Sequence, residues 1–176
     1  EAVAADAPKG HFPRGFSGEQ AYWTILGLDG GLQQGLINED GAIEVAAGGF
    51  SIEPFVRIGE TLVSWADVTV AQSLQDDYLP IPSVDWTHDA LALRVTGFAH
   101  GTPQDSQLVA RYRLGNPGSE TRDYQLALAV RPMQVNPPTQ FLNITGGVSP
   151  LRRLGVTADG VRVDGTPRVF ARQPAQ

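Results

Sequence analysis

Apolar residues in this chain recur at every second position over short runs, the spacing of strands and not of helices. Leu91, Leu93 and Val95 alternate with Ala92, Arg94 and Thr96. Leu108, Ala110, Tyr112 and Leu114 alternate with Gln107, Val109, Arg111 and Arg113. Beyond Asn116-Pro117-Gly118-Ser119-Glu120 the pattern resumes with Tyr124, Leu126, Leu128 and Val130. Three antiparallel strands sharing one apolar face are expected here.

Hairpins frame that middle region. Ala21 to Leu28 is rich in aromatic and β-branched residues and ends at Asp29-Gly30-Gly31. Leu36-Ile37-Asn38 and Ala42-Ile43-Glu44-Val45 flank Glu39-Asp40-Gly41, an Asp-Gly turn signal. Phe50 to Ile58, Gly59-Glu60 and Thr61 to Trp65 give a second hairpin, and residues 155–163 with Arg168-Val169-Phe170 a third. Ala66 to Leu74 carries Val68, Thr69 and Val70 and reads as a strand. Twenty glycines and thirteen prolines fall largely between these runs, where turns need them. No long stretch has helical periodicity with caps. The expected fold is all-β, an antiparallel sandwich. Residues 1–18 read as a flexible arm or linker, 19–172 as one sandwich domain and 173–176 as a tail.

Thirteen basic and nineteen acidic side chains leave a net charge of -6. That balance argues against nucleic acid, which needs clustered cations to displace counterions. Lys9 is the only lysine, and no polybasic run offers itself to an anionic membrane. No stretch approaches the roughly 20 apolar residues of a spanning helix, so membrane insertion is not expected. With no cysteine, disulfides, thiolate nucleophiles and cysteine-ligated metals are excluded. The chain starts at Glu1, which reads as a processed product or a piece of a larger protein. Its alanine-rich first residues fit either the remnant of an export signal or an interdomain linker.

Glycoside hydrolysis needs two carboxylates facing each other across the bond cleaved. Most acids here sit in polar turns, where an aspartate caps its own backbone. Glu53 and Asp67 are the exceptions, lying inside apolar runs, and an ion pair with Arg57 or a neighbouring arginine competes with a functional role. His11, His88 and His100 lack ligand spacing, so neither a metal nor another cofactor is expected. No Gly-x-Ser-x-Gly elbow or phosphate loop is present. Sugars stack on Trp and Tyr, and Trp23, Trp65, Trp86, Tyr22 and Tyr78 are available, although strand aromatics usually belong to the core. Trp65 and Trp86 are the leading candidates. Pro137 and Pro138 break the ladder after the best strand, so the chain should leave its sheet near Asn136. The loop from Val135 to Gly147 then offers Gln140 and Asn143 as amides for hydroxyls or foreign backbone.

Three stretches carry a resemblance: LALRVTGF from Leu91, SQLVARYRLGNPG from Ser106, and the strand from Tyr124 to Arg131. Together they resemble the strand, strand, Asn-x-Gly turn, strand signature of β-supersandwich domains with the galactose-mutarotase-like fold. Such domains precede (α/α)6 catalytic barrels in several glycoside hydrolase and phosphorylase families. YWTILGLDGG, INEDGAIEV, FSIEPFV, SWADVTVAQSL, YLPIPSVDW and NPPTQFLN are similar to segments of bacterial proteins labelled factor 5/8-type or discoidin-domain-containing. The resemblance spans about residues 20–170. It implies a non-catalytic domain that braces a catalytic neighbour in a larger carbohydrate-active protein and contacts glycan. It also favours a periplasmic or secreted location over the cytoplasm. No catalytic residue carries over, since the acids of those enzymes belong to the barrel. Mutarotases use a His and Glu pair that nothing here matches. A self-contained carbohydrate-binding module and a structural or adhesion domain recognising protein are the alternatives. The candidate ligand-binding set is Glu53, Trp65, Asp67, Trp86, Gln140 and Asn143.

Overall fold

The computed structural model describes residues 7–139 and 146–172. Strands β1 (Trp23–Gly27), β2 (Gln34–Asn38), β3 (Ile43–Glu44), β4 (Ser51–Ile58) and β5 (Thr61–Val63) open the chain. They are followed by β6 (Thr69–Gln75), β7 (Leu79–His88), β8 (Leu91–Gly101), β9 (Ser106–Gly115) and β10 (Tyr124–Arg131). A final group comprises β11 (Leu154–Thr157), β12 (Gly160–Val163) and β13 (Thr166–Phe170). Among the described residues the only helical segments are two short 3-10 turns, Arg14–Phe16 and Trp65–Asp67. The protein is an all-β, antiparallel sandwich.

One sheet runs β1-β2-β3-β4-β10, with β5 paired to the far half of β4; the other runs β6-β7-β8-β9. Alternation along β8 and β9 turns Leu93, Val95, Tyr112 and Leu114 to one side, against Leu26, Ile37 and Val56 of the facing sheet. The fully buried ones, Leu26, Ile37, Val56, Leu93 and Val95, each contribute about 1.5–3 kcal/mol. The two sheets also meet through polar bonds. Trp86 Nε1 donates to the Asp40 carbonyl (3.0 Å), and the Tyr124 hydroxyl donates to the Ala90 carbonyl (2.5 Å). Gly97 lets Leu26 approach so closely that a Cβ would lie 2.7 Å from Leu26 Cδ1.

The expectation that 124–130 joins its two predecessors needs correction. β10 pairs along its whole length with β4, from Tyr124↔Ile58 to Arg131↔Ser51. Residues 116–123 are too many for a tight hairpin turn and carry the chain to the opposite sheet. Tyr124 and Leu126 still pack on the shared core, from the other wall. The strand also ends at Arg131, five residues before Asn136, and only the isolated bridge Met133↔Val148 follows. β7 is the strand that alternation does not mark. Pro80 and Pro82 would ordinarily confine it to an edge. They lie in the half of β7 that pairs with β6 alone, because pairing with β8 begins only at Ser83↔Thr96.

The last three strands form a separate small sheet, β11-β12-β13. Val161, Val163 and Val169 pack there on Phe50 and Ile52. Asp164 and Gly165, both at positive φ, close the β12–β13 hairpin, and Asp164 Oδ1 accepts the Arg152 and Arg153 amides.

Candidate functional site

The Asp-Gly turn between β2 and β3 is shaped by Asn38. Its Oδ1 accepts the amides of Asp40 (3.0 Å) and Ala42 (2.8 Å), while Gly41 takes φ 83°. This fold of the chain leaves Glu39 and Asp40 buried instead of solvated. Glu53 and Arg131 stand on the side of the first sheet opposite Val56, where β4 and β10 pair. Residues 7–18, read from the sequence as part of a flexible arm, lie bound against these groups.

The contacts are specific. Arg14 clasps Asp40 through Nη2 (2.6 Å) and Nε (3.1 Å), reaches Glu19 at 3.1 Å and Glu39 at 3.3 Å, and lies 4.3 Å over the Trp65 ring. Trp65 Nε1 donates to the Phe12 carbonyl (3.0 Å), and Arg131 Nη1 to the His11 carbonyl (2.6 Å). Arg131 also grips Glu53, with Nε to Oε1 at 2.9 Å and Nη2 bonded to Oε2. Gly10 and Pro13 are buried. Lys9 pairs with Glu19 at 3.1 Å and lies 5.6 Å from the Trp65 ring.

Burial pushes the Asp40 and Glu53 carboxyls up from their ordinary range, and the bonds from Arg14 and Arg131 oppose that shift. Glu39 is raised by burial as well. The Asp40 bond in turn holds the Arg14 guanidinium more firmly protonated. Glu44, 2% exposed, has no cation within ion-pair distance among the described residues. Its oxygens accept the amides of Gly48 (3.0 Å) and Asn136 (3.1 Å), and burial raises its pKa too.

Three of the sequence candidates converge here. Glu53, Trp65 and Trp86 line one cavity with Asp40, Pro13 and Phe55. The cavity holds about 10 Å³, room for one water, whereas ligand pockets run to about 300–1,000 Å³. Trp86 is 1% exposed and Trp65 7%, so neither ring presents a face to solvent. Asp67 caps the 3-10 turn after β5, accepting from Ser64 N (2.8 Å) and Ser64 Oγ (2.7 Å). Gln140 and Asn143 lie outside the described residues. The loop base beside them is pinned by Gln134 N to Gly147 O (2.8 Å) and Gly147 N to Asn136 O (2.9 Å). Among the described residues no group of three or more His, Asp or Glu is arranged to hold a metal. The arrangement binds guanidinium groups and main-chain carbonyls; it leaves no space for a sugar between its acids.

Sequence reasoning missed Arg14, Glu39, Asp40 and Arg131. Arg14 sits in a stretch without periodicity, and Asp40 reads as a solvated turn acid. The one signal available is Glu53, an acid inside an apolar strand whose burial demands a cation. No protein-family model matches the chain, and no curated protein and no solved structure matches it either.

Proposed function

We propose that the chain is a non-catalytic β-sandwich domain that braces a neighbouring domain of a larger carbohydrate-active protein, the class its sequence resembles. The observation that carries this reading is the uncovered part of the third sheet. Register puts Val156 opposite Val161, and Val161 opposite Val169, so all three share the face that packs on the body. Yet Val156 is 85% and Leu154 43% exposed, because β11 runs past its support. Phe170, next to Val169 on the strand, points to the opposite side of the sheet and is 69% exposed. Residues 150–172 carry five arginines against two aspartates, a net of +3 in a chain of -6. Exposed apolar side chains in an arginine-rich segment suit docking to another domain. In the parent protein, Val156→Asp with Phe170→Asp should lower activity or assembly several-fold while the isolated domain melts as before. Unchanged parent activity with a folded double variant would remove the brace, and turnover of a glycoside by the isolated chain would remove the non-catalytic assignment.

A second reading, direct glycan contact, rests on Tyr78. It stands 75% exposed beside Asp76 and Asp77, which hold φ 53° and 65° in the β6–β7 turn. An exposed ring flanked by carboxylates is the chemistry a sugar face and its hydroxyls need. Tyrosine fluorescence or calorimetry against a glycan panel, with Tyr78→Ala as control, separates the two readings.

A further inference from the structure

We propose that the surface beneath residues 9–15 is an arginine-anchored peptide-recognition groove, and that it takes the segment Lys9-Gly10-His11-Phe12-Pro13-Arg14-Gly15 as a separable ligand. In a second copy of the chain the same segment fits the same groove.

The groove reads its occupant in the way that dedicated peptide sites do: a few side-chain anchors set specificity and main-chain bonds hold the path. The anchor is Arg14, bidentate on Asp40 with Glu39 and Glu19 beside it and Trp65 beneath the guanidinium. Two consecutive carbonyls, of His11 and Phe12, are each met by a donor from a different part of the fold, Arg131 and Trp65. Glycine is required twice. Gly10 holds φ 91°, and any Cβ there would overlap Ser64 Oγ. A Cβ on Gly15 would come within 2.5 Å of Pro137 Cβ. Pro13 is buried between these points and lines the small cavity.

The contact is chemically an interface and not a piece of core. His11 is exposed and Phe12 only half-buried, so the segment contributes no fully buried large apolar side chain. Its affinity rests on charge-assisted bonds and backbone recognition. When it leaves, Asp40, Glu39 and Glu53 gain water, which lowers the cost of the open state. Detachment therefore exposes a hydrated acidic groove and uncovers one side of Trp65, the edge of the main core cluster, while Leu93, Val95 and Val56 stay enclosed between the sheets.

The test begins with the full chain carrying a protease recognition sequence inserted after Gly18, where a Cβ would meet nothing within 4 Å. After folding and cleavage, a fluorescent synthetic peptide of residues 7–18 is added, and exchange is followed by anisotropy and tryptophan emission. The expected result is saturable binding of the peptide to the cleaved protein, with at least tenfold weaker binding of the Arg14→Ala and Gly10→Ala peptides. Equal binding of the three peptides would overturn the proposal. So would a cleaved body that stays folded by circular dichroism yet binds none of them. Unfolding of the body on release would also overturn it, since the segment would then be a structural element and no ligand.

Discussion

The two ends of the described chain are fastened to the sandwich by opposite physics. Residues 7–18 are held by the Arg14 clasp on Asp40, two carbonyl bonds and a glycine that admits no side chain. The β11-β12-β13 sheet is held by valines resting on Phe50 and Ile52. The first attachment is directional and selects a sequence. The second scales with covered area and tolerates many residues, and it leaves Val156 and Leu154 without cover. The difference shows where specificity resides in a small β domain: in buried charges that must each find a partner, and not in apolar contact.

Mutations sharpen the contrast. Phe50→Ala removes the support of the third sheet and should cost about 3–5 kcal/mol in urea unfolding, the range for a buried aromatic truncation. Arg131→Ala leaves Glu53 buried without its cation and should cost about 3 kcal/mol. The telling experiment is the double variant Glu53→Gln with Arg131→Met. It should recover most of that loss, since removing both partners removes the unmet demand, whereas no single partner change rescues Phe50→Ala.

Acidity probes the charged end of the comparison more gently. Burial holds the Glu44 carboxyl above its ordinary range, and Glu39, Asp40 and Glu53 shift in the same direction. Their stabilising effect is complete below the unfolded carboxylate pKa, about 4.3 for glutamate, and is lost as pH rises through the higher folded values. The melting temperature should therefore climb as pH falls from 7 towards 5, and Glu44→Gln should flatten that slope. The smallest effect belongs to the uncovered apolar face. Val156→Thr should change stability by less than about 0.5 kcal/mol, as exposed substitutions do.

Much of the fold was legible because alternation is a local property. β1 to β5, β8, β9 and the final hairpins lie close to where turn residues and period-two runs place them. What stayed hidden was non-local. Nothing in Tyr124 to Arg131 says that its partner is β4 and not β9, since an apolar face fits either sheet. β7 was masked by Pro80 and Pro82, whose missing amides matter only on a side that no strand occupies. The candidate site was half legible. Glu53 stood out as an acid in an apolar run, and Trp65 and Trp86 as large aromatics, but their partners Arg131, Phe12 and Asp40 lie 46 to 78 residues away. Recognition of Arg14 depends on glycine geometry and carbonyl bonds, which leave no periodic trace.

The crossing of β10 to the first sheet also governs the order in which the molecule can be assembled. Its pairing joins residues 51–58 to 124–131, and the whole β6-β7-β8-β9 meander lies in the interval. Each meander step closes a short loop, so that sheet can zip early, while β4 waits with one edge unpaired. Long-range closures of this kind slow folding from the microsecond scale towards milliseconds or longer. During synthesis the waiting edge of β4, with Ile52, Val56 and Ile58 alternating along it, is the segment most prone to pair with another nascent chain. That exposure ends once β10 covers the waiting edge from Ser51 to Ile58.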